Sequence, residues 1–281
     1  MKKWALIVDI ARCTNCQNCV LATQDEHVGN EHPGYSAPMP DEGAPWITVE
    51  KRTRGNGSMV DVAYVPKTCN QCDNAPCVRA AGDGAIYQRR DGIVIIDPVK
   101  SRGRRDLVDS CPYGAINWNE QAGVPQKWSF DAHLLDAGWS APRCVQACPT
   151  GAMQSELMAE GDLKRLQDEL RLETLEPIGP AVPRLLYRNM RRATHWFLGG
   201  TIVRVSQHGG VENIPGAGVE LLLDGEHAAS CLSGPFGDFK FDDLRPQPVR
   251  WEVRVRHTEY GEALREGMLN ASLYLGELPL S

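Results

Sequence analysis

The placement of eight of the ten cysteines constrains this chain more than any other feature. Cys13, Cys16 and Cys19 form C-x2-C-x2-C, and Cys69, Cys72 and Cys77 form C-x2-C-x4-C. Two more stand alone downstream, each followed by proline, in Cys111-Pro112-Tyr113-Gly114-Ala115 and Cys148-Pro149-Thr150-Gly151-Ala152. Three clustered thiolates plus one remote Cys-Pro is the ligand pattern of a [4Fe–4S] cube. The reason is steric. Cysteines three residues apart on a tight loop wrap three iron corners, and the fourth corner faces away from that loop. The proline fixes φ and removes a backbone donor, and the glycine after it permits a close, left-handed turn. The pattern therefore counts two cubes and a chain that moves or stores electrons. Spacing alone leaves open which remote cysteine completes which triplet.

Other uses of cysteine fit less well. Ten cysteines in 281 residues is well below the density of a disulfide scaffold, and a chain this long buries a core without staples. Structural zinc takes its ligands two plus two, whereas these units are three plus one.

The length allows one large or two modest domains. A formal net charge of −6 calls for neither nucleic acid nor an anionic membrane. No apolar run approaches the length of a membrane span. The stretch Met1-Lys2-Lys3-Trp4-Ala5-Leu6-Ile7-Val8-Asp9 reads as a buried strand rather than a cleavable signal, and the pairs Arg89-Arg90, Arg104-Arg105 and Arg191-Arg192 are internal. Together with reduced thiols this predicts a cytoplasmic protein, unless a partner carries an export signal.

The expected fold is α+β in two domains. Residues 1–196 form a double [4Fe–4S], ferredoxin-like domain with a connector helix, marked by the repeated C-P-x-G-A unit, and residues 197–281 form a small all-β sandwich. Strands are expected over Trp4 to Ile10 and Ile93 to Ile96. The spacing of Leu163, Leu166 and Leu170 predicts a helix over Asp162 to Leu172, with Asp162 as N-cap and the stripe docked on its own domain. Pro177, Pro180 and Pro183 punctuate a connector. Arg188 to Arg192 reads as a solvated basic face. Beyond Gly199, Ile202 to Val205, Val219 to Leu223, Phe239 with Phe241, and Trp251 with Val253 and Val255 show strand character, the last two sets by period-two alternation. Cys231 reads as a small buried hydrophobe. No H-E-x-x-H, G-x-S-x-G or P-loop is present, so no catalytic set is assigned.

Several stretches carry a resemblance. They include Val8-Asp9, Asp25-Glu26-His27, Pro33-Gly34-Tyr35, Asn74-Ala75-Pro76-Cys77, Gly84-Ala85-Ile86-Tyr87, Asp91-Gly92-Ile93-Val94 and Ile96-Asp97-Pro98. Cys111-Pro112-Tyr113-Gly114, Ala132-His133-Leu134-Leu135-Asp136, Pro142-Arg143-Cys144 and Phe236-Gly237-Asp238-Phe239-Lys240-Phe241-Asp242 complete the set. With the cysteine motifs they resemble the iron–sulfur subunits of the DMSO reductase molybdenum enzyme family. The nearer likeness is to the small subunits of pyrogallol–phloroglucinol transhydroxylase and resorcinol hydroxylase. It implies a C-terminal sandwich of the transthyretin or carboxypeptidase-regulatory type. It implies nested pairing, with Cys13, Cys16, Cys19 and Cys148 on one [4Fe–4S] cluster and Cys69, Cys72, Cys77 and Cys111 on the other. His27 and His133 take hydrogen-bonded structural roles.

The resemblance also implies losses. Four-cluster relatives carry a further cysteine where this chain has Thr23 and Ala81. Their third motif would need a triplet just before Cys111, and Lys100 to Ser110 has none. Their fourth motif places cysteines at Trp128 and Asp131, leaving only Cys144 as a buried bystander. The clusters form a row leading away from the molybdenum subunit, so this chain keeps the first and third stations and lacks the second.

The implied partner is a large catalytic subunit carrying molybdenum bis-molybdopterin guanine dinucleotide, in a heterodimer or higher assembly that hydroxylates or transhydroxylates phenols. The present chain is a non-catalytic electron relay within it. The alternatives are an iron–sulfur subunit of an anaerobic respiratory reductase or dehydrogenase complex, and a scaffold subunit with largely structural clusters.

Overall fold

The computed structural model describes residues 1–176, 179–206 and 209–280. Pro177 of the expected connector lies outside them. Two compact units divide the chain: residues 1–51 with 64–190, and residues 52–63 with 191–281.

The first unit is organised on strand β1 (Lys2–Asp9). Helix α1 (Asn18–His27) and hairpin β2–β3 (Thr48–Asn56, Met59–Lys67) follow. Next come α2 (Pro76–Ala81), β4 (Ile86–Gln88), β5 (Val94–Ile96), a 3-10 turn at Arg105–Ser110, β6 (Asn117–Asn119) and β7 (Val124–Gln126). Helices α3 (Ala132–Asp136) and α4 (Arg143–Gln146), strand β8 (Met153–Ala159), helix α5 (Glu160–Leu170) and β9 (Leu185–Arg188) complete it. β1 pairs antiparallel with β8 and parallel with β9, and β4–β5 and β6–β7 are two-stranded. The apolar run of β1 is buried on both faces, from Ala5 to Val8, as expected for a central strand.

Helix α5 starts two residues before the expected position, with Ala159 rather than Asp162 at the N-cap. Asp162 sits instead in the first turn, where its charge still meets the positive helix end, and it pairs with Arg165. Leu163 is buried, and Leu166 and Leu170 pack with it against Ala5, Ile7, Leu172 and Leu186, so the stripe docks on its own unit.

The second unit contains α6 (Arg191–Thr194), β10 (Trp196–Val205), β11 (Val211–Asn213), β12 (Gly218–Leu223), β13 (Glu226–Leu232), β14 (Asp238–Leu244), β15 (Val249–His257), β16 (Gly261–Leu269) and β17 (Leu273–Pro279). One sheet has order β11-β10-β14 with β17 also on β10, and the other has order β13-β12-β15-β16. Leu198, Ile202, Phe239, Phe241 and Leu278 from the first sheet share a core with Val219, Leu221, Trp251, Val253 and Val255 from the second. The alternating patterns of β14 and β15 thus each give one buried face, and the two sheets form a sandwich. Cys231 is half-buried against this core.

The distal half of hairpin β2–β3 belongs to this unit. Gly55, at φ +93°, lies against Met59 O and the Phe197 ring, leaving no room for a Cβ. Arg54 Nη2 donates to Asp61 Oδ2 at 2.8 Å, and Arg54 Nη1 donates to Asp242 Oδ1 at 2.7 Å and to His195 O at 3.0 Å. Arg192, expected on a solvated face, pairs instead with Asp61 at 2.7 Å, and Arg191 pairs with Asp243 at 2.7 Å. Burial acts to raise the Asp61 carboxyl, but Arg192 and Arg54 outweigh it and hold it at about 2. A depressed carboxyl contributes stability above its unfolded pKa and loses it as pH falls through the folded value. The melting temperature of the full chain should therefore exceed that of Asp61→Asn above about pH 4, with the difference vanishing toward about pH 2. A pH-independent difference between the two melting curves would refute this linkage.

Candidate metal centres

β1 and β8 bring Cys13, Cys16 and Cys19 together with Cys148. Their register sets Val8 opposite Met153, and Asp9 N–H donates to Ala152 O at 2.8 Å. The loop that carries Cys13 therefore leaves the sheet beside the segment that delivers Cys148. Left-handed φ values at Asn15 (60°) and Gln17 (63°) curl that loop into α1. Cys13, Cys16, Cys19 and Cys148 line one cavity. Gly151 has φ 60° and Gly114 has φ 63°, the left-handed turns expected after each Cys-Pro.

The thiols of this cavity differ. Burial, with the neighbouring cysteines adding to it, pushes Cys19 up to about 11. At Cys148 burial acts in the same direction, but the backbone N–H groups of Met153, Ala152 and Thr150 and the Thr150 hydroxyl outweigh it, and the net shift is downward. Cys16 is exposed, so the first cavity reaches the surface of its unit.

The second cavity is lined by Cys69, Cys72, Cys77 and Cys111 with Val94, Tyr113, Ile116 and Lys127. Its loop is latched at several points. Gln71, at φ 47°, accepts from Val94 N–H at 2.8 Å and donates to Trp128 O at 3.1 Å. Gln88 Nε2 donates to Cys72 O at 3.2 Å. Asp73 is held by Lys3 and by the buried Arg184, the latter at 2.9 Å. Ala115 N–H donates to Cys111 Sγ at 3.4 Å. Burial pushes Cys72 up to about 12 and Cys77 up to about 11, with nearby thiols adding to the rise. Lys127 is buried, its Nζ donates to Val94 O and Trp128 O, and its charge pulls Cys77 and Cys111 downward.

All ten cysteines are free. Each cavity gathers four sulfur donors, and at Cys13, Cys19, Cys72, Cys77 and Cys111 ionisation is opposed by burial and by neighbouring thiols. Iron charge relieves that opposition, because a coordinating thiol is deprotonated outright. An all-thiolate donor set of four, three local and one remote, fits a [4Fe–4S] cube.

Thr23, Trp128, Asp131 and Cys144, where relatives were expected to hold another cluster, form a solid plug. Each is 0 or 1% exposed. Asp131 accepts from His27 Nε2 at 3.0 Å, Trp128 Nε1 at 3.0 Å and Arg143 N–H at 2.9 Å. Thr23 Oγ1 donates to Cys19 O at 2.9 Å. Phe130 packs tilted against Trp128 with centroids 4.8 Å apart, and His27 meets Trp46 at 4.7 Å. His27 and His133 are both hydrogen-bonded, His133 to Glu26 at 2.8 Å. Burial pushes the Cys144 thiol well up, consistent with an inert side chain. Ala81 packs in the apolar surround of the second cavity.

Sequence reasoning did not find Lys127, Gln71 or Arg184. Lys127 adjoins the flagged Trp128 and was findable. Arg184 had no local signal, because its partner Asp73 lies 111 residues away.

Cavities lined by cysteines in this arrangement define an iron–sulfur protein, and residues 60–157 match the 4Fe-4S dicluster domain family. The chain is 40% identical over 271 residues to the pyrogallol hydroxytransferase small subunit of Pelobacter acidigallici, covering 94% of this chain and 95% of that one. It is 35% identical over 152 residues to a tetrathionate reductase subunit of Salmonella typhimurium, covering 53% and 56% of the two chains. It is 30% identical over 210 residues to a putative dimethyl sulfoxide reductase iron–sulfur subunit of Halobacterium salinarum, covering 60% and 76%. The chain belongs to the iron–sulfur electron-transfer subunits of the DMSO reductase molybdoenzyme family, together with the pyrogallol hydroxytransferase small subunit. No helix among the described residues is long and apolar enough to cross a membrane.

Proposed function

We propose that this chain carries two [4Fe–4S] clusters, one on Cys13, Cys16, Cys19 and Cys148 and the other on Cys69, Cys72, Cys77 and Cys111. It serves as the small subunit of a cytoplasmic heterodimer whose large subunit holds molybdenum bis-molybdopterin guanine dinucleotide and hydroxylates or transhydroxylates a phenol. The observation that carries the reading is the pair of cavities, each lined by four free cysteines. The 40% identity across 94% of the chain to a pyrogallol hydroxytransferase small subunit supports the phenolic branch. The transthyretin-like kinship of the second unit belongs to the same proposal, supported by its two four-stranded sheets around one core.

Bound clusters supply one-electron storage. The chain's residues hold them, exclude water and set the local charge. Iron and sulfide near eight each per chain, with molybdenum in a co-purified large subunit, is the expected composition. Cys111→Ser should lower iron toward about four per chain while leaving the other cluster's EPR signal. Iron near twelve per chain, or unchanged iron in Cys111→Ser, contradicts the assignment. A co-purified membrane subunit would instead favour the respiratory reading, which the likeness to the tetrathionate reductase subunit keeps specific.

Lys127 makes the two centres electrostatically unequal. Both of its hydrogen-bond partners are carbonyl acceptors, and no carboxylate among them offsets a positive charge beside the second cavity. Net charge near a cluster tunes its potential. Lys127→Met should lower the midpoint potential of the Cys69/Cys72/Cys77/Cys111 cluster and leave the other unchanged in a potentiometric EPR titration. Equal shifts at both clusters would show that Lys127 is not a local influence.

A further inference from the structure

Three side chains outside the cysteine cavities converge on one point. Glu26 lies in the last turn of α1, His32 in the loop that follows, and His133 in α3. Glu26 Oε1 is 2.8 Å from His133 Nε2 and 3.8 Å from His32 Nε2, and the ligand atoms of all three lie within 4.8 Å of one another. The imidazoles of His32 and His133 stack at 3.7 Å and 25°, with both Nε2 atoms near the same carboxylate oxygen. With metal–ligand bonds of about 2.0–2.2 Å, neighbouring ligand atoms on one ion stand roughly 3–3.5 Å apart. The observed separations bracket that range.

Without an ion, His133 Nε2 donates to Glu26 Oε1 at 2.8 Å and His32 Nε2 donates to the Glu26 backbone carbonyl at 3.2 Å, so the three ligand atoms are already drawn together by protons that a cation can replace. His133 Nδ1 and the adjacent His27 Nδ1 are buried without a hydrogen-bond partner among the described residues. The side chains of Glu26, His32 and His133 are 13, 15 and 12% exposed, dry enough to strengthen a charge interaction yet open to an entering ion. Arg143 opposes a cation by its charge, but its position is compatible with one. Its Nη1 donates to Glu26 Oε2 at 2.8 Å and its Nη2 to Asp25 at 2.6 Å, which leaves Oε1 to face the histidines. Such outer partners orient a carboxylate ligand.

We propose that Glu26, His32 and His133 bind one divalent cation of the zinc class, with water in the remaining positions. Two imidazoles and one carboxylate suit Zn²⁺ and related ions. Binding replaces the proton between His133 Nε2 and Glu26 Oε1, moves the His32 proton from Nε2 to Nδ1 with loss of its bond to the Glu26 carbonyl, and ties the end of α1, the loop after it and α3 together. Those segments also supply His27 and Asp131, so the ion clamps the plug.

The test uses the cluster-loaded chain titrated anaerobically with Co²⁺, with cluster absorption followed in parallel. The expected result is one equivalent bound, weak ligand-field bands without sulfur-to-cobalt charge transfer, and displacement by Zn²⁺. His32→Ala and His133→Gln should each weaken binding by at least about tenfold with iron and sulfide unchanged. His32 stands in a loop, so its variant keeps the test open if His133→Gln folds poorly. Absence of saturable binding, charge-transfer bands from cysteine, or undiminished affinity in His32→Ala overturns the proposal.

Discussion

Trp128→Ala should destabilise the first unit by about 3–5 kcal/mol. The indole is wholly buried. It packs on Phe130, which meets Trp4 with ring centroids 5.7 Å apart, so truncation opens a void reaching toward β1. It also removes one of three donors to the buried Asp131, and an unmet buried acceptor adds a penalty of its own. Trp128→Phe keeps most of the packing and loses only the N–H, at roughly 1–3 kcal/mol. Denaturant midpoints of the cluster-loaded chain, ranked wild type above Phe above Ala, check this order. Equal midpoints for wild type and Trp128→Ala would mean that the plug carries no stability.

The second large effect is kinetic. On the proposed two-cluster assignment, reduction by substrate through the large subunit should be biphasic, with the Cys69/Cys72/Cys77/Cys111 centre lagging well behind. The plug is the physical reason. Lys127, its neighbour in sequence, lines the second cavity, and Thr23 of the plug donates to the Cys19 carbonyl beside the first. The plug thus connects the surroundings of both centres with closed-shell side chains, where the family resemblance places an intervening cluster. Stopped-flow mixing with rapid-freeze EPR resolves the two phases. Fast reduction of both centres together would exclude an interrupted relay.

The cysteine motifs made the first unit legible, because a cube dictates where its ligands must come from. The alternation around Phe239, Phe241, Trp251, Val253 and Val255 made the second unit legible, because burying one sheet face imposes period two. The resemblance read Trp128 and Asp131 as a vacated cluster position, but the sequence did not show how those side chains would pack. The hydrogen bond from His27 to Asp131 spans 104 residues and leaves no local pattern. The same holds for Arg54, whose partner Asp242 is 188 residues away. Pairings of that range are set by packing rather than by neighbouring sequence. Helix α5 was misplaced by two residues because an acid in the first turn resembles an N-cap.

The hairpin tip at residues 52–63 has a consequence for synthesis and for dissection. These residues leave the ribosome early, yet their partners Phe197, Asp242 and Tyr274 come near the end of the chain. The sandwich therefore cannot finish folding from residues 191 onward alone, and its early-made strand waits until Tyr274 has been made. Nor does any single cut separate the units: truncation after Met190 leaves Gly55 and Arg54 without their partners, and residues 191–281 alone lack the strand that covers Phe197. A genetic fusion of two modules would have to place one inside the other, and a sandwich expressed by itself must carry that tip.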